Sequence, residues 1–278
     1  MKIWDAHCHL WDHNTNWLPG STPEARLDLM AEIGQQVGIT RFNVFIRMEH
    51  FRRDKVNNPA WNQGVVEGVK AHKGRMFPYL YLYIDDATNI QRSLDQMEKY
   101  IADGDFVGIK FAGDSGRCHR IEADPVFARA IELKAVIVIH TWLLTGGDPP
   151  RWAGDPRPLE SKPADVVELA GRYPDYPFVC IHNGGDWEIG TRDVVGADNV
   201  WTEISGGFPW RGQVDLAVSE LGADKIIFGS DISGRAYATQ MGKVWGARIS
   251  NHEKQLIFND NMELLTMPIL NDKNIVPV

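Results

Sequence analysis

Eight short runs of β-branched and aromatic residues, separated by amphipathic stretches at a near-constant interval, constrain this chain more than any other feature. The runs are residues 2–10, 39–47, 75–84, 106–112, 135–142, 178–183, 200–205 and 226–231. Their starts recur about every 32 residues, close to the roughly 30 that a strand-plus-helix unit needs. Between them, residues 24–36, 59–73, 89–102, 124–134 and 163–173 place apolar side chains at helical spacing. Gly38, Gly74 and Gly104 stand where helices would end. Eight such units predict a (β/α)8 TIM barrel, with residues 1–278 as one domain. A doubly wound open sheet is the runner-up. No Gly-x-Gly-x-x-Gly turn follows the first run, so the main dinucleotide-binding signal is missing.

The charge balance narrows the function. The formal net charge is −8, and no Lys/Arg-rich run occurs, which argues against a nucleic-acid partner. No apolar segment has signal-peptide or membrane length, so the expectation is a cytoplasmic protein with no membrane association. Cys8, Cys118 and Cys180 are odd in number and far apart, and read as reduced thiols.

The chemistry collects at the ends of the runs. Side chains alternate along a strand, so His7 and His9 share a face. By the same count Asp5 lies beneath them, while Trp4, Ala6, Cys8 and Leu10 face away. His140, His182 and Asp231 end the fifth, sixth and eighth runs. In a parallel barrel all these ends open on one face. A lone histidine after an apolar run is usually a hydrogen-bonded core residue. Four imidazoles and a carboxylate on one rim are costly to bury unless something satisfies them, and a metal ion would do so.

The motifs DAHCHLWD at 5–12, VGIKF at 107–111, DPVFARAIELKAVIVIHTW at 124–142, CIHNGG at 180–185 and FGSDIS at 228–233 resemble those of the amidohydrolase superfamily. The resemblance is closest to the amidohydrolase-2 branch, which includes aminocarboxymuconate-semialdehyde decarboxylase-like enzymes. A late segment, ISNHEKQLIFNDNMELL at 249–265, is similar to that family's closing helix. The resemblance implies one divalent metal ion, zinc first and manganese second, held by His7, His9, His140 and Asp231. It makes Asp231 the base and His182 an acid/base or electrostatic partner, acting on water whose pKa the metal lowers. A small-molecule substrate is implied, and a homodimer is suggested because many relatives pair. Thr141-Trp142 after His140 departs from the Pro-rich sequence of the branch's decarboxylases. Hydrolysis of a C–O or C–N bond in a small carboxylated or cyclic substrate therefore stands first. Non-oxidative decarboxylation comes second, a metal-free lactonase third, and a binding protein on an inactive barrel last.

Lys110 ends the fourth run, where two-metal relatives carry a carboxylated lysine; a plain cation or a structural salt bridge are its other readings. Arg47 and Arg235 are candidate carboxylate clamps, and Trp142 and Trp187 candidate pocket walls. Glu203 is a candidate support. Glu49, His50, Arg117, His119 and Arg120 are weaker, each read first as loop charge. Cys180 reads as barrel filling, and His13, His72 and His252 as ordinary surface residues. Residues 143–162, rich in Gly and Pro and carrying Trp152, read as an active-site lid.

Overall fold

The computed structural model describes residues 1–10, 22–48, 59–143, 159–207, 210–232 and 234–278. Eight parallel strands form one sheet in chain order: β1 (Trp4–Leu10), β2 (Arg41–Ile46), β3 (Met76–Leu82), β4 (Gly108–Phe111), β5 (Val136–His140), β6 (Phe178–Ile181), β7 (Val200–Glu203) and β8 (Ile226–Ile227). Each is shorter than its apolar run, because the flanking residues cap helices or line turns. Beyond β8 the backbone keeps pairing with β1. Ala6 N–H donates to Phe228 O at 3.1 Å, Asp231 N–H to His7 O at 2.9 Å and His9 N–H to Ile232 O at 2.6 Å. These bonds close the (β/α)8 barrel.

Helices alternate with the strands: α1 (Pro23–Gln36), α2 (Pro59–Ala71), α3 (Ala87–Met97), α4 (Asp124–Glu132), α5 (Pro163–Arg172), α6 (Trp187–Val194), α7 (Gln213–Leu221) and α8 (Tyr237–Trp245). Two more follow, α9 (Asn251–Gln255) and α10 (Asn261–Asp272). Their starts are chemically marked. Asp86 and Asp186 accept the backbone N–H of Asn89 and Ile189, and Ser250 forms a capping box with Glu253. Helix α1 lays Leu27, Met30 and Ala31 on the sheet, all buried; each large side chain so covered contributes roughly 1.5–3 kcal/mol. Gly38 and Gly74 have positive φ, as expected where a helix ends. Gly104 does not: α3 runs on into a π-helical turn (Glu98–Ala102), and a Cβ at Gly104 would meet the Tyr100 carbonyl at 2.6 Å. The three cysteines are free and buried. Among the described residues, no helix is long and apolar enough to cross a membrane.

Candidate metal centre

The first strand carries an irregularity that moves its side chains off simple alternation. His9 is in register with Phe45 and Cys8 with Val44, but the register slips between Asp5 and Cys8. Such a bulge sets an extra residue against the partner strand. Asp5 therefore pairs with Phe42, on the face of Val44 and Cys8, and not beneath the two histidines. Trp4 takes the inner face instead, its Nε1 donating to Asn43 Oδ1 at 2.8 Å. Asp5 still serves the site from behind. Its Oδ1 accepts the backbone N–H of His7 at 3.0 Å and of Ser230 at 2.8 Å, tying β1 to the closing segment. Burial pushes its carboxyl up to about 7, against the pull of these bonds.

Three donor atoms meet in front of this strand. His7 Nε2 lies 3.0 Å from His9 Nε2 and 3.4 Å from Asp231 Oδ1. His9 Nε2 is 3.3 Å from the same oxygen. Bonds of about 2.1 Å to one ion separate two ligand atoms by about 3.0 Å at a right angle and about 3.4 Å at the tetrahedral angle. The triangle thus has the edges a zinc- or manganese-sized ion requires, with two imidazoles and a carboxylate as donors. Burial lowers the pKa of both histidines, which favours the neutral, ligating form. Burial works against ionised Asp231, yet His7, His9 and Lys110 outweigh it and hold this carboxyl at about 2.

His182 joins from the next side. Its donor atom, with those of His7 and Asp231, lies in a group spanning no more than 4.8 Å. The ladder pairs Ile181 with both His140 and Glu203, so alternation would turn His182 away from the barrel interior. A left-handed backbone, φ 67°, turns it in. Asp231 is aimed in the same way, with φ 57°. Non-glycine residues rarely adopt this region, and each such residue costs about 1–3 kcal/mol. By the same register Cys180 pairs with Thr202 and faces the helices, its Sγ 3.4 Å from Thr141 Oγ1. It does not fill the barrel.

The turn after β7 sets the protons on these rings. Ser205 O lies 3.0 Å from His182 Nδ1. A carbonyl only accepts, so Nδ1 carries the hydrogen and Nε2 keeps its lone pair. His7 Nδ1 faces Ser205 Oγ at 3.0 Å and Glu203 Oε2 at 3.3 Å. The Ser205 hydroxyl donates to Glu203 Oε2 at 2.9 Å. Glu203 is fully buried, and burial pushes its carboxyl up to about 7 while Ser205 pulls it down. Ser205 carries no sequence signal of its own; only its place two residues after Glu203 hints at a shared face.

His140 stands on the far side of His182, the two rings 4.9 Å apart. Its Nε2 is 2.9 Å from Glu160 Oε1, and Trp142 stacks on it. Trp142 also meets His182 edge-on, so it walls the pocket between the two rings. Glu160 lies within the stretch read as an active-site lid, but nothing in the sequence singles it out there as a site residue. Its neighbour Ser161 bridges to Thr141, which delivers the carboxylate to the rim. Residues 144–158 of the expected lid, Trp152 included, lie outside the described residues, as do His13, Glu49 and His50.

Lys110 is buried inside the barrel. Its Nζ lies 4.7 Å from the Phe45 ring centre and has no hydrogen-bond partner among the described residues. Burial lowers its pKa to about 7, while Glu203 and Asp231 oppose that shift. Arg47 stacks against Tyr81 and Tyr83 at 5.1 and 5.5 Å. Arg235 is half-buried, its Nη1 donating to Gly234 O. Arg117 and His119 instead pair with Asp165, and Arg120 donates to Asp85 O, so these three brace loops. A separate groove of about 630 Å³, lined by Val66, Lys70, Tyr100 and Phe106 among others, contains none of the donor atoms.

The family model described as "Amidohydrolase" matches residues 4–263. A dihydroxybenzoic acid decarboxylase from Polaromonas sp. JS666, solved with manganese and 2-nitroresorcinol, is 15% identical, covering 97% of each chain at a TM-score of 0.67. A Pseudomonas putida protein provisionally assigned as a 2-pyrone-4,6-dicarboxylic acid hydrolase is 15% identical at a TM-score of 0.63, covering 95% of this chain and 97% of that one. An uncharacterised TIM-barrel protein from Bordetella bronchiseptica is 16% identical at a TM-score of 0.69, covering 97% and 99%. No curated protein sequence matches significantly.

Proposed function

This chain belongs to the amidohydrolase family, and from that premise we propose that it is a metal-dependent hydrolase of a C–O or C–N bond in a small carboxylated or cyclic substrate. The observation that carries this reading is the triangle of His7 Nε2, His9 Nε2 and Asp231 Oδ1, whose edges suit a divalent ion. Such an ion, zinc first and manganese second, would polarise a substrate oxygen and bring the pKa of water toward neutrality. His140 is the fourth donor in this reading, and its Nε2 must then exchange Glu160 for the ion. Asp231, held ionised, accepts a proton from the attacking water. His182, with its hydrogen on Nδ1, offers the Nε2 lone pair to the substrate side. Lys110 and Arg47 hold substrate carboxylates, Arg235 adds a third cation beyond Asp231, and Trp142 excludes water.

Decarboxylation on the same centre is the second reading. It draws on the buried Lys110 ammonium, whose field reaches Asp231 and which could hold a substrate carboxylate beside the triangle. Two of the similar structures bear a decarboxylase and a hydrolase description, so both chemistries suit barrels of this shape. The test is elemental analysis of the purified protein joined to a screen of lactones, amides and aromatic acids. One ion per chain and chelator-sensitive hydrolysis are expected. Release of CO₂ would establish the second reading. Hydrolysis of a lactone with no ion, unaffected by chelators, would overturn the metal. We propose a homodimer, checked by light scattering, and a cytoplasmic location, checked by cell fractionation.

A further inference from the structure

A buried lysine outside the donor set donates two hydrogen bonds to the turn on which the centre leans. Lys243 lies on α8 with its side chain buried. Its Nζ donates to Ile204 O at 2.8 Å and to Gly206 O at 2.6 Å. These two carbonyls flank Ser205, so the ammonium straddles a residue that contacts both His7 and His182 through Nδ1. Taking an ammonium out of water is costly, and no carboxylate forms an ion pair with it among the described residues. A methionine of similar length would fill the same space at less cost. What the ammonium adds is a two-point clamp on the peptide units either side of Ser205.

The turn needs such a clamp. Gly206 and Gly207 have φ of 74° and 62°, and a Cβ at Gly206 would come within 2.6 Å of His182 Nδ1. The ring therefore packs directly on a glycine backbone, and small movements of that backbone move the ring. Ser205 O takes the His182 Nδ1 hydrogen, and Ser205 Oγ sits 3.0 Å from His7 Nδ1. Displacing the turn would free the His182 Nδ1 and let its hydrogen move to Nε2, the nitrogen that faces the centre, and would leave the His7 Nδ1 with Glu203 Oε2 at 3.3 Å as its remaining partner.

We propose that Lys243 is a positioning residue: by clamping Ile204 and Gly206 it holds Ser205 where it keeps hydrogen on Nδ1 of His182 and His7, leaving the His7 Nε2 free to ligate and the His182 Nε2 lone pair turned to the centre. This rests on the metal-centre reading above, and the experiment separates the two. Lys243→Met and wild type are compared by thermal unfolding, by competition of the metal-free chains with a chromophoric chelator for zinc and for manganese, and by ¹⁵N NMR of histidine-labelled, metal-free protein. Clamp loss predicts a folded variant with metal affinity about 10–100-fold weaker and a His182 signal shifted from the Nδ1–H toward the Nε2–H tautomer. A purely structural lysine would change the unfolding temperature alone. Affinity within twofold of wild type together with an unchanged His182 tautomer would overturn the proposal. If the wild type binds no metal, the function reading fails, and the tautomer shift alone decides the clamp. Should Lys243→Met not fold, Lys243→Gln, which keeps an amide donor, gives an intermediate shift if the clamp is real and none if it is not.

Discussion

His9 and His140 reach the barrel mouth on strands, whereas His182 and Asp231 reach it on turns. On the strand side the pleat aims the ring: His9 is in register with Phe45 on β2, and His140 with Ile181 on β6. On the turn side, φ of 67° and 57° does the aiming, and the surrounding structure must hold it. The holding groups are visible. Asn183, next to His182, donates to Thr191 Oγ1 at 2.7 Å and accepts from Thr202 Oγ1 at 3.1 Å. Ser205 holds the His182 ring, and Asp5 accepts the N–H of Ser230 before Asp231. The difference teaches that half of this centre is a property of strands, and half is strain that neighbours must maintain.

The sharpest way to break that contrast is to place glycine on each side. Asp231→Gly and His9→Gly should both lower activity by roughly 10²-fold or more, since each removes a donor of the triangle. In metal-free protein their thermal stabilities should part. Asp231→Gly relieves a left-handed residue while losing its carboxylate's contacts, so it should lower the unfolding temperature less than His9→Gly, which loosens a strand. Equal shifts in calorimetry would erase the distinction.

Gly206→Ala should come next. Its Cβ would crowd His182 Nδ1 in backbone that disfavours a side chain, costing about 1–3 kcal/mol of stability and roughly 10–100-fold in metal affinity. A chelator competition curve that overlays wild type would show that the ring tolerates movement. Thr191→Val, on the turn side, leaves the buried Asn183 amide short of a partner, for about 1–3 kcal/mol in denaturant unfolding. On the strand side, Glu160→Gln keeps a partner for His140, and its metal affinity should change by less than about tenfold. The smallest effect belongs to Arg117→Ala. Its bond to Asp165 lies away from the donor triangle, so about 1 kcal/mol or less of stability should go while the kinetic constants hold. A lost activity there would mean that the loop after β4 reaches the substrate.

How much of this was legible depends on what sets each direction. The eight-fold spacing gave the barrel, because apolar runs buried on both faces leave few alternatives to a parallel sheet wrapped in helices. His7 and His9 were found by type and spacing, and the structure brings both to one oxygen of Asp231. Asp5 lies on the face opposite to the one alternation predicts, because parity carries no trace of a bulge. His182 was expected inside for the wrong reason: alternation points it out, and its backbone turns it in. Glu160 comes from 20 residues beyond His140 and Lys243 from 40 beyond Glu203, and no local pattern ties them to the rim.

The sequence by itself determined the architecture and the donor types at the strand ends, since periodic burial and residue chemistry are local properties, and its motifs carried the resemblance to the family. Only the tertiary structure decided which nitrogen of His7 and of His182 faces the centre, which carboxylate supports which ring, and what the Lys243 ammonium grips. Those follow from hydrogen bonds between residues far apart in the chain, whose directionality exists only once the backbone is closed into a barrel.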